Sequence, residues 1–222
     1  DEGARGRGQF GARRRAAYRG EGPGRTGGAY AGTTADGNVD AASTVSTPRC
    51  DDINRTFHRF RYDVRKATPF VRMAFYQVGA DKYNPHQFDT LARGNEKGLT
   101  EQWRPPRSER PRRDVRQMPG RYGRMGIACP GRLPWFSLHD AINKDTGGGA
   151  WANRGLVIRS WKARLGGKDV PAPTAGVFQT FNGPPSNALE LTPPPGVEKL
   201  LPGDFVECEV ALLVIPMKAG DY

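Results

Sequence analysis

The chain has 222 residues, with 29 Gly, 19 Pro and 36% hydrophobic residues, so much of it is turn or loop and the core uses fewer residues than the length suggests. Lys and Arg number 34 against 23 Asp and Glu, a formal charge of +11 that attracts polyanions without choosing among nucleic acid, acidic glycans and anionic membrane surfaces. No apolar run approaches the ~20 residues that span a bilayer. The three cysteines, Cys50, Cys129 and Cys208, lack metal-ligand spacing, so no membrane span, no zinc site and no cofactor is expected.

Residues 1–49 read as a flexible segment ahead of a strand-rich domain over 50–222. Up to Arg25 it is an Arg/Gly-rich basic arm; from 26 to 47 the charge fades into a Gly/Thr/Ala linker. Neither stretch has enough bulky apolar surface to offset the entropy of ordering it. Thr56–Val64 then alternates Phe60, Tyr62 and Val64 against Arg59, Arg61 and Asp63, the pattern of a half-buried strand. Lys66–Pro69 reads as a turn and Phe70–Val78 as a second strand, which together predict an antiparallel hairpin. A polar loop follows over 79–98, with one helical turn at Gln87–Ala92. Residues 100–132 read as a long Pro/Arg-rich loop, because prolines interrupt any regular ladder there.

Trp135–Leu138 is a short apolar strand and Asn143–Gly149 a turn. Asn153–Leu165 reads as a long strand with Val157, Trp161, Ala163 and Leu165 on one face, ended by Gly166–Asp169. Gly176–Phe181 and Ala188–Leu191 add two short strands. After the turn at Pro202-Gly203-Asp204, Phe205–Ile215 points Val206, Cys208 and Val210 inward and Glu207 and Glu209 outward. Its last residues are apolar on both faces, which predicts a central strand. Strands at short spacing, Gly/Pro turns and no amphipathic helix predict an all-β fold, an antiparallel β-sandwich or jelly-roll. Cys208 reads as a small buried hydrophobe, leaving Cys50 and Cys129 as the pair a disulfide would join.

Four segments, Arg59–Val64, Ala74–Asn84, Trp151–Arg159 and Leu201–Val206, resemble β-sandwich regions of secreted bacterial carbohydrate-active proteins, including the supersandwich part of polysaccharide lyases. The resemblance covers residues 51–222 and is one of strand and turn style. It implies a glycan-facing protein at an extracellular or cell-surface location, and it carries over no active-site residue.

The polar loop Asp81–His86 holds the residue types used on uronic-acid polymers, where one group neutralises the carboxylate and a Tyr or His moves the proton. Tyr83, His86 and Arg121 are therefore the candidate catalytic set. Arg61 and Arg72 are candidate substrate contacts through bidentate carboxylate pairing, with Asn84 beside them. Trp103, Tyr122, Trp135 and Trp151 are candidate platforms for sugar rings. The plainer reading of the loop is a polar turn stopped by Pro85, and of the aromatics ordinary packing. His58, His139 and Trp161 read as structural. The expected partner is an anionic polysaccharide. Two alternatives stay open: nucleic acid bound through residues 1–25 and 104–124, and a homo-oligomer or larger extracellular or viral assembly joined through the N-terminal arm.

Overall fold

The computed structural model of the chain describes residues 15–18, 25–48, 54–70, 72–81, 90–103, 127–139, 153–180 and 186–214. In chain order the strands are β1 (Arg15–Tyr18), β2 (Arg25–Thr33), β3 (Val39–Pro48), β4 (Asn54–Val64), β5 (Thr68–Pro69), β6 (Tyr76–Asp81), β7 (Thr90–Asn95) and β8 (Gly98–Trp103). They continue as β9 (Ile127–Ala128), β10 (Trp135–His139), β11 (Asn153–Leu165), β12 (Lys168–Asp169), β13 (Thr174–Thr180), β14 (Ser186–Thr192), β15 (Lys199–Leu200) and β16 (Phe205–Val214). The described residues contain no helix.

A large antiparallel sheet runs in the order β1-β2-β3-β4-β16-β11-β10-β7-β8, with β12 folded back on β11, and a smaller one runs β6-β14-β13-β9. The two face each other across a single core. Phe60, Val206, Cys208, Val210, Leu156, Ile158 and Leu138 of the large sheet meet Val78, Leu189, Leu191 and Ala175 of the small one. This is the all-β sandwich expected from the alternation, and β16 lies centrally between β4 and β11 as its twin apolar faces predict.

Local chemistry explains the joints. Gly166 and Gly167 adopt positive φ (59° and 76°), which the two-residue β11–β12 turn requires. Asp204, almost fully buried, accepts from the amides of Leu201 (2.8 Å), Gly166 (2.7 Å) and Gly167 (2.9 Å), so it ties the entry to β16 onto that hairpin. Trp161 packs against the core and donates its indole N–H to the Val170 carbonyl at 2.9 Å.

Several expectations are corrected. Residues 25–48 are not a linker: β2 and β3 form a hairpin, and β3 pairs with β4 from Val39 opposite Val64 to Ser46 opposite Phe57. The division at 49/50 therefore cuts through one continuous sheet. The hairpin closes because Asp36-Gly37 supplies the turn, Gly37 at φ 69°. Thr34 and Asp36 accept from the Asn38 amide (3.2 and 3.0 Å), and Arg65 clamps Asp40 at 2.5 Å.

The proposed pairing of 70–78 with β4 does not form. Its ladder starts at Tyr76, and β6 pairs with β14, while Thr68 and Pro69 of the expected turn pair with β15. Residues 90–92 belong to β7 rather than a helical turn, and 100–103 and 127–128 of the expected long loop are strand. In β11, Leu156 and Ile158 face the core, and Val157 does not share the face of Ala163 and Leu165. A bulge between Ile158 and Ser160 inserts one residue and exchanges the two faces. Cys129 is a free, buried thiol that donates to the Gly94 carbonyl (3.1 Å); Cys50, the other end of the possible bridge, lies outside the described residues.

Candidate functional site

The solvent face of the large sheet is where the described charges collect. β4 presents Arg59 and Arg61, β16 presents Glu207 and Glu209, and β11 presents Arg159, Lys162 and Arg164, because strand alternation sends their buried neighbours Phe60, Cys208 and Ala163 the other way. Glu207 pairs across the ladder with Arg61 on one side and Lys162 on the other. Its carboxylate accepts from Arg59 at 2.7 Å and Arg61 at 2.9 Å, while Arg61 also forks onto Asp63 at 2.7 Å and Arg159 reaches Glu209 at 2.6 Å. Hydrogen bonding from Arg59, then from Arg61, holds the Glu207 carboxyl below the usual carboxylate range.

Depth separates Glu207 and Glu209 from the arginines they pair with. The side chains of Arg59, Arg61 and Arg159 are 63%, 45% and 48% exposed, against 27% and 31% for Glu207 and Glu209. Glu207 and Glu209 thus lie beneath the guanidinium groups they fix, while Asp63, 46% exposed, stands level with Arg61. Two aromatic rings in this layer are already covered by cations: Arg159 lies 4.9 Å over Phe57, and Arg61 and Lys162 lie 5.2 and 5.8 Å from the Phe205 ring centre. A sugar ring cannot stack where a cation sits, so what this face offers a ligand is charge and hydrogen bonding.

Beside the arginines the sheet drops into a groove of about 620 Å³. Its floor is Ala29 and Ala31 of β2 with Ala42 and Thr44 of β3, and its wall is Arg59, Arg61 and Glu207. The groove exists because short side chains on β2–β3 adjoin long ones on β4. Arg61 was expected at a site from its sequence; Arg59 and Glu207 were not, although their alternation around Phe60 and Cys208 already put them on the solvent face.

Arg72 lies elsewhere, on the connector between β5 and β6. It bonds Glu190 of β14, whose neighbours Leu189 and Leu191 point into the core, so this pair is on the outer side of the small sheet. Glu190 is fully buried and also accepts from Gln77 at 2.5 Å, while its Oε2 has no hydrogen-bond partner among the described residues. Burial raises its pKa, and the Arg72 charge pulls it partly back. Arg61 and Arg72 therefore sit on opposite faces of the sandwich, each paired with the protein's own carboxylates.

Trp135 of β10 is half-buried, lies against Gly94 and donates to the Asn95 carbonyl at 3.3 Å, so it packs the β7–β10 junction. Trp103 ends β8 opposite Leu91. Tyr83, Asn84, His86, Arg121, Tyr122 and Trp151 lie outside the described residues. His58 packs edge-on to Tyr76 (5.3 Å), with its pKa lowered by burial, and buried His139 contacts the Ser137 hydroxyl through Nδ1 at 3.2 Å, both in structural roles. Among the described residues no group of three or more His, Cys, Asp and Glu could hold a metal ion. No protein-family model matches the chain, and neither does any curated protein sequence.

Proposed function

We propose that the chain binds anionic polysaccharide along the solvent face of its large sheet. The observation that carries this reading is the ridge of exposed guanidinium groups set over Glu207 and Glu209, with Arg59 the most exposed, beside an open groove with a low floor. A polymer lying on Ala29, Ala31, Ala42 and Thr44 brings its carboxylates or sulfates against Arg59, the cation with donors left over. Fixed guanidinium donors suit planar anions because little side-chain freedom remains to be lost on binding. Cation-covered Phe57 and Phe205 favour an acidic polymer over a neutral one that binds by ring stacking. Such a ligand implies an extracellular or cell-surface setting.

Retention on immobilised alginate across a salt series tests the reading. Wild-type chain is expected to bind and to elute earlier as salt rises, since exposed charges are screened. Arg59→Ala is expected to weaken binding about tenfold, the loss of one charge-assisted contact. Equal retention of the two proteins, or none for either, contradicts it. Assaying the same mixtures for newly formed unsaturated chain ends checks the further expectation of chemistry by Tyr83 and His86 with Arg121.

A further inference from the structure

Glu207 lines the groove from the central strand, and each of its oxygens is touched by a different arginine: Oε1 by Arg59 at 2.7 Å and Oε2 by Arg61 at 2.9 Å. A carboxylate offers about four acceptor positions, so these two bonds leave others for a ligand. The two arginines are not equivalent. Arg61 gives Nε and Nη2 to Asp63, at 2.8 and 2.7 Å, and Nη1 to Glu207, which engages every nitrogen of its fork. Arg59 directs Nη2 to Glu207 and is the most exposed cation of the ridge. Open donors on Arg59 therefore stand beside an open acceptor on Glu207.

We propose that Arg59 and Glu207 read a ligand together: Arg59 takes its anionic group and Glu207 accepts a hydrogen bond from an adjacent sugar hydroxyl, so that the groove selects hydroxyl-bearing acidic polysaccharides over DNA, a phosphodiester polymer without a 2′-hydroxyl. This rests on the groove being the polyanion site and adds what sets its selectivity. A DNA backbone has no hydroxyl to donate, and its phosphates meet Glu207 as a like charge. Uronate and sulfated sugars present an anion and a hydroxyl on the same or the next ring, so both halves of the pair are satisfied. Arg61 becomes a positioning residue, holding Glu207 against Asp63.

The test measures the affinities of the full chain for an alginate oligosaccharide and for poly(dT) at one fixed salt concentration. Wild type is expected to prefer alginate. Glu207→Gln removes the charge at constant shape and is expected to lower the alginate/poly(dT) affinity ratio about tenfold or more, the worth of one hydrogen bond to a charged group. Glu207→Asp keeps the charge but withdraws the carboxylate from the groove, and it is expected to lower the ratio as well. If Glu207→Gln strengthens both polymers by the same factor, Glu207 acts only as a like charge and the selectivity pair is overturned. If Arg59→Ala leaves alginate affinity unchanged, the groove reading itself fails. A weakened Arg59→Ala with an unchanged ratio in both Glu207 variants removes the selectivity pair alone.

Discussion

Replacing Arg72 with Met removes the guanidinium that faces Glu190 while keeping much of its apolar stem. Glu190 is 0% exposed, and burial places its folded-state pKa above the ordinary value of 4.5, with Arg72 opposing that shift. A raised folded-state pKa means that this group's contribution to stability is fully present below pH 4.5 and is lost as pH rises through the folded value. Once ionised, the buried Glu190 is thus a cost that Arg72 reduces. Removing one partner of a fully desolvated pair costs ~3–5 kcal/mol. Because the Arg72 side chain is 36% exposed, solvent already screens part of the pair, and about 2 kcal/mol is the reasonable loss. For a chain of this size that corresponds to a fall in Tm of about 4–8 °C at pH 7. Near pH 4, where Glu190 is protonated in both proteins, the difference should close to under ~1 kcal/mol. Circular-dichroism melts at the two pH values measure this, and Glu190→Gln in the Arg72→Met background should recover most of the loss at pH 7. An equal loss at both pH values, or no recovery, would refute a charge-based role and leave packing as the cause.

Three further variants probe the frame that carries the ridge. Gly94→Ala drives a Cβ into the Trp135 ring and the Gly98 carbonyl, an overpacking that should cost about 2–3 kcal/mol in thermal denaturation. Gly79→Ala, with nothing within 4 Å of the new Cβ, should stay within about 0.5 kcal/mol, and equal losses would contradict the contact. Asp204→Ala strips the acceptor from three backbone amides and should lower stability by about 3 kcal/mol in urea titration, with an unchanged midpoint as the contrary result.

How much of this was legible in the sequence depended on side-chain size. β4, β10, β11, β13, β14 and β16 all declare themselves through bulky apolar residues; the alternation around Cys208 marks the inward face of β16, and the apolar residues on both faces of its end mark its central place. β2 and β3 carry Gly, Ala, Ser and Thr on both faces, so no period was visible and the segment read as a linker; Asp36-Gly37 between Thr- and Val-bearing runs was the signal that could have found the hairpin. In β11 the alternation was real on each side of Arg159 but changed parity at the bulge, which no local pattern announces. The pairing of β6 with β14 joins residues over a hundred positions apart, beyond the reach of a rule that favours neighbouring strands. Arg61, a candidate from its residue type, lines the groove, but the groove itself needs the low floor of the β2–β3 hairpin, which small residues hide from the sequence. Arg72 illustrates the opposite error: an arginine read as a ligand for substrate carboxylates instead answers a carboxylate buried in the protein itself.

The most direct test of the account is to map where an acidic polysaccharide touches the chain, by following backbone amide signals of labelled protein as alginate oligosaccharide is added. The account predicts that the amides of Ala29, Ala31, Ala42, Thr44, Arg59, Arg61 and Glu207 shift together and saturate with one affinity, while those of Ala188 and Glu190 on the opposite sheet stay in place. Shifts confined to residues away from β2, β3 and β4, or none at saturating polymer, would contradict it.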